Sequence, residues 1–459
     1  MFKRKNVDIT GGPIVRSIVA FAIPIIIGSL IQVLFNAADV AIVGNMSAPE
    51  DNAVASVGAT GAIINLLVNS FIGLSVGVGS VLAGCLGRRN DVRVRRVVST
   101  AMIFALVIGI VLTVVFVLTS KELLYVMKCP EKCFDGAVSY FNVYAIGIPA
   151  IMIYNFGAVI IRTQGDTERP FIYLAIAGVV NVVLNVILCL ILENKVVAVA
   201  IATTVSQTLG CILVLIHLFR LDGVCGLNIK HLSFNMRELW EILKIGAPCA
   251  LNTALFSISN LQIQTELNTF GENAIAGNTA AANLEHVSNS IAMGFVNATV
   301  PFVGQNAGAG NRERVKKSII SCLSIAGCLA ILSSVVIYIL RRPLIALFAP
   351  NNPEALAVGM SRMKYVLLSF FICISYNVLV SAMQAFGYSF IPMLNSITTV
   401  LGFRLIWMWF IYPHLDAANR TVGNLFMCYP ISWTLSLMAH SVAFAIVYSR
   451  YKKGKIKSV

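Results

Sequence analysis

Residues 15–45 read VRSIVAFAIPIIIGSLIQVLFNAADVAIVGN, and their reading decides the fold. Arg16 and Asp39 are the only charges in the run. A helix crosses the hydrocarbon core of a bilayer in about 20 apolar residues, so this stretch is long enough to span. Ser29, Gln32, Asn36 and Asp39 recur at i, i+3, i+7 and i+10, which lines them up on one helix face. A carboxylate at membrane depth costs roughly 2.5–3.5 kcal/mol on insertion scales. The stripe is therefore expected to face other helices or a water-filled cavity, with Asp39 as the first candidate functional residue. Its place near the end of the run leaves an interfacial reading open.

Working outward, the 459 residues are 58% hydrophobic and 12% charged, with mean hydropathy +0.84. A soluble domain carries about 25% charge. The fold class is an all-α polytopic membrane protein. An outer-membrane barrel needs ~10-residue alternating segments, which continuous apolar runs exclude. Windows of ~19 residues give about twelve transmembrane helices. They lie near 15–44, 57–84, 97–119, 137–161, 170–192, 196–219, 240–270, 274–303, 318–340, 361–386, 390–412 and 423–449. The basic start Lys3-Arg4-Lys5 runs into a span too long for a cleavable signal core.

The net charge of +14 does not point to nucleic acid. Lys and Arg cluster in alternate short connections, as the positive-inside rule requires. The basic set comprises the N-terminus, 87–96, 162–169, 220–244, 312–317 and 450 onward. This places both termini in the cytoplasm and makes the span number even. The 341–364 loop, with Arg341, Arg342, Arg362 and Lys364, goes against the trend on the expected outside. The partners expected are the lipid bilayer and small organic substrates, for a monomer in the cell membrane. Of the eleven cysteines, most sit inside apolar spans as small buried thiols. Cys129 and Cys133 flank an outer loop where a disulfide is permitted but not required.

The chain reads as two similar halves, 1–225 and 226–459, each a six-helix bundle. Ala22-Ile23-Pro24 answers Gly246-Ala247-Pro248. The 84–93 loop answers 304–314, and Thr163-Gln164-Gly165 with Pro170 answers the 384–387 turn with Pro392. Six spans per half makes the repeats parallel, as in transporters built of two related bundles. The second half includes the linker and an expected interfacial helix near 230–244, with Met236, Leu239, Trp240 and Leu243 on one face.

Polar residues recur inside spans. Asn65 and Asn69 are i,i+4 in span two, Asn181 and Asn185 are i,i+4 in span five, and Thr203, Thr204, Ser206 and Gln207 crowd span six. Buried amides need partners, so these residues are expected to line one chamber with Asp39, the bland alternative being interhelical contact alone. The second half differs: the position answering Asp39 is near Ile263, while Glu266, Glu285 and Arg404 are intramembrane charges of its own. Glu285 is expected either to bind organic cations or to pair with Arg404. His440 reads as a satisfied helix contact. Nucleotide loops, HExxH and CxxC pairs are missing, so the chain is not expected to be an enzyme or to hold a cofactor.

The Asn36-Ala37-Ala38-Asp39 segment with Val43-Gly44, the Arg162–Pro170 loop and Gly304–Asn311 together resemble the multidrug and toxic compound extrusion (MATE) family, nearest its DNA-damage-inducible type. The likeness covers essentially the whole chain, and the two loops are its specific part. It implies efflux driven by a proton or sodium gradient through alternating access. It also implies a cation or proton site made of an acid in the first span, an NxxxD pair in span five, a Thr in span six and a Tyr in span four. Asp39, Asn181, Thr203 and Tyr140 match. Asn185 stands where those relatives carry Asp, which halves the formal charge and weighs against sodium, leaving Asp39 as a metal ligand only if sodium is the coupling ion.

The leading expectation is a cation-coupled antiporter of small, cationic amphipathic compounds. Gln32, Asn36, Asn65, Asn69, Glu266, Glu285 and Arg404 are its expected substrate contacts. A lipid-linked glycan flippase is the alternative, but it needs a basic cavity for phosphates. A non-transporting receptor or scaffold ranks last, since it requires neither a repeat nor a polar chamber.

Overall fold

The computed structural model describes residues 7–46, 53–127, 129–348, 350, 352–416 and 419–455. The Lys3-Arg4-Lys5 start, the 47–52 connection and the side chain of Asn36 lie outside the described residues. The first half comprises α1 (Ile14–Met46), α2 (Ala53–Gly87), α3 (Asp91–Val126), α4 (Glu131–Ile146), α5 (Ile148–Thr163), α6 (Glu168–Ile191) and α7 (Lys195–Arg220). The second comprises α8 (Met236–Asn268), α9 (Glu272–Gly308), α10 (Arg312–Ile339), short α11 (Arg341–Phe348), α12 (Pro353–Ala385), α13 (Phe390–His414) and α14 (Val422–Lys452). The described residues form no strand.

Asparagines start many of these helices. Asn90 accepts from Arg93 N at 3.1 Å and Asn311 from Arg314 N at 3.0 Å, capping α3 and α10 at matching places in the two halves. Asn194 and Asn235 do the same for α7 and α8.

Ten of the described helices are long and apolar enough to cross a membrane, and α4 with α5 makes an eleventh bent by 47°. The fourth span is thus two helices, correcting the continuous 137–161 reading. Pro149 sits in the first turn of α5, where its missing N–H leaves no intrahelical bond unmade. α9 is 37 residues, long enough to span, but its Asn, Glu and His content keeps it outside that set. The tenth span begins at Pro353 rather than 361, so Arg362 belongs to a helix and not to an outer loop. Met236–Lys244 is likewise no separate interfacial helix. It forms the first turns of α8, with Leu239 buried and Trp240 exposed. Cys129 and Cys133 are free thiols, their sulfurs 3.8 Å apart.

Outward faces are apolar. Leu106, Val107, Ile110, Val111, Val114 and Leu118 of α3 are all exposed, as a lipid-facing stripe requires. Two large cores sit inside. One joins α2, α3, α5 and α7 and takes in Ile242, Ile245 and Cys249 of α8. The other joins α9, α10, α12 and α14 and takes in Ile18, Phe21, Ala22 and Ile25 of α1. The opening helix of each half therefore packs its start on the core of the other. Glycines allow the approach: a Cβ on Gly77 would meet the backbone of Ile242 and Gly246, and one on Gly246 the carbonyl of Leu74.

Candidate functional site

Asp39 sits on α1 where that helix lies against α6, with the Phe35 ring resting on Gly178. Asn185 Nδ2 donates to Asp39 Oδ1 at 2.5 Å and to Asn181 Oδ1 at 3.3 Å. Asn181 Nδ2 in turn reaches Thr203 Oγ1 at 3.5 Å, and the Tyr140 hydroxyl lies beside Thr203. Asn181 and Asn185 are buried, which their spacing of four on one face of α6 arranges. The Asn185 amide donates through its nitrogen and leaves its buried Oδ1 without a protein partner. Oxygens of Asp39 and Asn181 thus converge on the Asn185 amide nitrogen, with the Thr203 and Tyr140 hydroxyls beside them. A set of one carboxylate with neutral oxygens suits a proton or one hard monovalent cation. Among the described residues there is no cluster of three His, Cys, Asp or Glu able to hold a metal ion.

This cluster borders a cavity of about 430 Å³, enough for a drug-sized molecule. Its wall comes from α1, α2, α4, α5, α6 and α7, with Asn297 and Pro301 of α9 and Gln384 of α12 on the second-half side. Gln32, Asn65, Tyr140, Thr203 and Asp39 are all on the wall, whereas Asn69 is not. Sequence reasoning missed Tyr144, Tyr154, Asn155 and Phe171, which give the cavity its aromatic and amide character. A polar Tyr-Asn pair inside the fourth span was the available signal. Arg162 was also missed, having been counted with the basic connections; it occupies the last turn of α5 and lines the cavity.

The second-half charges lie elsewhere. Glu285 is bonded through both oxygens to Arg362, at 2.9 and 2.8 Å, and Arg362 Nη1 also donates to Asn278 at 2.7 Å. The expected Glu285–Arg404 pair is therefore corrected: the extension of α12 to Pro353 brings Arg362 inside the helix and next to α9. Arg404 is 1% exposed and bonds neutral groups, Asn260 Oδ1 at 2.8 Å, Ser259 at 3.3 Å and Ser432 at 3.2 Å. The Tyr429 ring stacks 4.3 Å from its guanidinium. Neither Glu285, Arg404 nor Glu266, near the end of α8, is on the cavity wall. His440 is buried with its ring nitrogens 2.7 Å from Ser436 O and 3.3 Å from Pro392 O, as read.

One end of the cavity is sealed where the halves meet. Gln305 donates to Thr163 O and Ser80 to Gln384 O, each at 2.5 Å. Val7 N donates to Gly165 O at 3.1 Å, while Arg314 donates to Gly11 O at 2.8 Å and Gly12 O at 2.9 Å. The segment before α1 thus ties the loop after α5 to the start of α10. Gly454 lies against Arg312, so both described chain ends are on this sealed face.

The MatE family model matches residues 24–187 and 248–410, one segment in each half. The chain is 26% identical to the probable multidrug resistance protein YpnP of Bacillus subtilis (strain 168), covering 98% of both chains. It is 23% identical to the multidrug export protein MepA of Staphylococcus haemolyticus, covering 78% of each. Among solved structures, a MOP superfamily transporter from Pyrococcus furiosus superimposes with a TM-score of 0.89 at 22% identity, covering 98% of this chain and 100% of that one. A MATE in complex with MaL6 gives 0.88 at 22%, with the same coverage.

Proposed function

The chain belongs to the MatE family, and from that premise, with relatives named as a probable multidrug resistance protein and a multidrug export protein, we propose that it exports small cationic amphipathic compounds in exchange for a proton taken up at Asp39. The observation that carries this reading is the Asp39–Asn185–Asn181–Thr203 cluster, whose Asp39 and Thr203 lie on the wall of a drug-sized cavity. Protonation of Asp39 removes the charge that Asn185 caps and changes what the stripe of α1 bonds to. That biases one access state over the other. A proton is favoured over sodium because Asn185 contributes no charge, and a bare cation is offset best by carboxylates. The sealed face is the cytoplasmic one by the excess of Lys and Arg around it, and the arrangement is the outward-facing member of the cycle. A glycan flippase is disfavoured by a wall whose charges, among the described residues, are Asp39 and Arg162 alone.

Dye efflux from cells, with sodium replaced by choline at constant pH, tests the coupling ion. The proposal expects unchanged efflux that an uncoupler abolishes; strict sodium dependence refutes the proton and leaves the export reading in place.

A further inference from the structure

The second half buries more positive charge than it neutralises. Arg362 and Arg404 both reach the Tyr429 ring, their guanidinium carbons 5.5 and 4.3 Å from its centroid. Glu285 gives both its oxygens to Arg362. The ion pairs among the described residues, Arg93–Glu238, Asp166–Arg169, Glu313–Lys317 and Glu285–Arg362, leave Arg404 no carboxylate. Glu266, further along α8, lies by Tyr412 instead. The titratable groups near Arg404 are the Cys373 and Cys428 thiols and the Tyr376 and Tyr429 phenols, types that are uncharged at neutral pH.

Three hydrogen bonds fix the direction of this guanidinium. Nε donates to Ser432, and Nη1 donates to Asn260 Oδ1 and to Ser259. The group is planar, so pinning Nε and Nη1 also fixes the Nη2 edge. Nη2 is buried and has no acceptor among the described residues. A charge held away from water without a partner is strongly unfavourable. Wide π-turns flank the residue at 397–402 and 407–411, a geometry that recurs at functional sites. The plainer reading is a cross-link that holds α8, α13 and α14 together. It accounts for Nε and Nη1, but it needs no charge and leaves Nη2 unused.

We propose that Arg404 is the centre of a buried anion site in the second half, which takes one small halide, chloride first, on its Nη2 edge. The ligand is small because Arg404 is 1% exposed and sits against the Phe256 and Tyr429 rings. It is monovalent because one guanidinium charge is left to offset. A bound halide accepts charge-assisted hydrogen bonds from Nη2 and holds α13 more firmly to α8 and α14. The site is separate from the Asp39 cavity, whose wall lacks Arg404.

The test is thermal unfolding of the purified full-length protein in potassium chloride, bromide and gluconate at equal ionic strength. Chloride and bromide raise the midpoint by about 2–5 °C over gluconate, and the rise saturates. Arg404→Gln removes that difference, while Arg450→Gln, at the exposed end of α14, keeps it. Crystals of the parent grown in bromide show an anomalous peak within hydrogen-bond distance of Nη2, an arm that decides the question even where Arg404→Gln does not fold. Equal midpoints in the three salts, a halide response that persists in Arg404→Gln, or a parent map with no bromide at Nη2 overturns the site.

Discussion

Asp39 and Glu285 are both acids inside spans, yet their surroundings assign them different work. Asp39 meets an amide donor at a cavity wall, so its charge is held by neutral groups and is free to change. Asp39→Asn is expected to leave the protein folded and inserted, to bind cationic dye more weakly, and to abolish gradient-driven efflux in vesicles. Glu285 meets an arginine on both oxygens, with both side chains largely buried. Removing one partner of such a pair costs on the order of 3–5 kcal/mol. Glu285→Gln should therefore lower thermal stability and reduce export of every substrate alike. Adding Arg362→Gln should recover part of the stability, and adding Arg404→Gln should not, since Arg404 is bonded to Ser259, Asn260 and Ser432 instead. Thermal unfolding of the purified variants checks the order.

At the level of single helices, span positions were legible because a twenty-residue apolar run has one reading in a bilayer. The stripe on α1 was legible from spacing alone. The break at Gly147 was not, because Pro149 inside an apolar run is equally compatible with a gently curved helix. Arg162 and Arg362 were misread for one shared reason: a charge near a span end looks like loop, and only the packed neighbours show that it turns inward. Arg404 sits on a four-residue α-helical piece between the wider π-turns 397–402 and 407–411, a local geometry that no periodicity signals. Where α2 crosses α8, the approach depends on missing side chains. Gly246→Val would drive its side chain into the Leu74 carbonyl with no flexible group to yield. Overpacking of this kind costs about 1–3 kcal/mol or more. The expected result is a lower folded yield by size-exclusion chromatography, with Gly58→Ala, at an open position, as the neutral control.

Across the whole molecule, repeated turns and loops were visible in the sequence and the family model matches one segment on each side of its middle, while the packing of the starts of α1 and α8 on opposite cores was not visible. It arises from three-dimensional packing of the two opening helices, which sequence offsets do not encode. The sealed face joins both described chain ends to loops of both halves, so on the proposed orientation and export direction it is the side that comes apart for substrate to enter. The proposed orientation rests on the same charges and is tested directly: a single cysteine at position 90 on a Cys-less background should react with an impermeant maleimide only when the cytoplasmic side is accessible. The central claim, that a proton carried at Asp39 is exchanged for an organic cation, is tested most directly in proteoliposomes with a trapped pH-sensitive dye. Adding a cationic substrate to sodium-free vesicles should move protons in the opposite direction in the parent and not in Asp39→Asn. Proton movement of equal size in both would contradict the account.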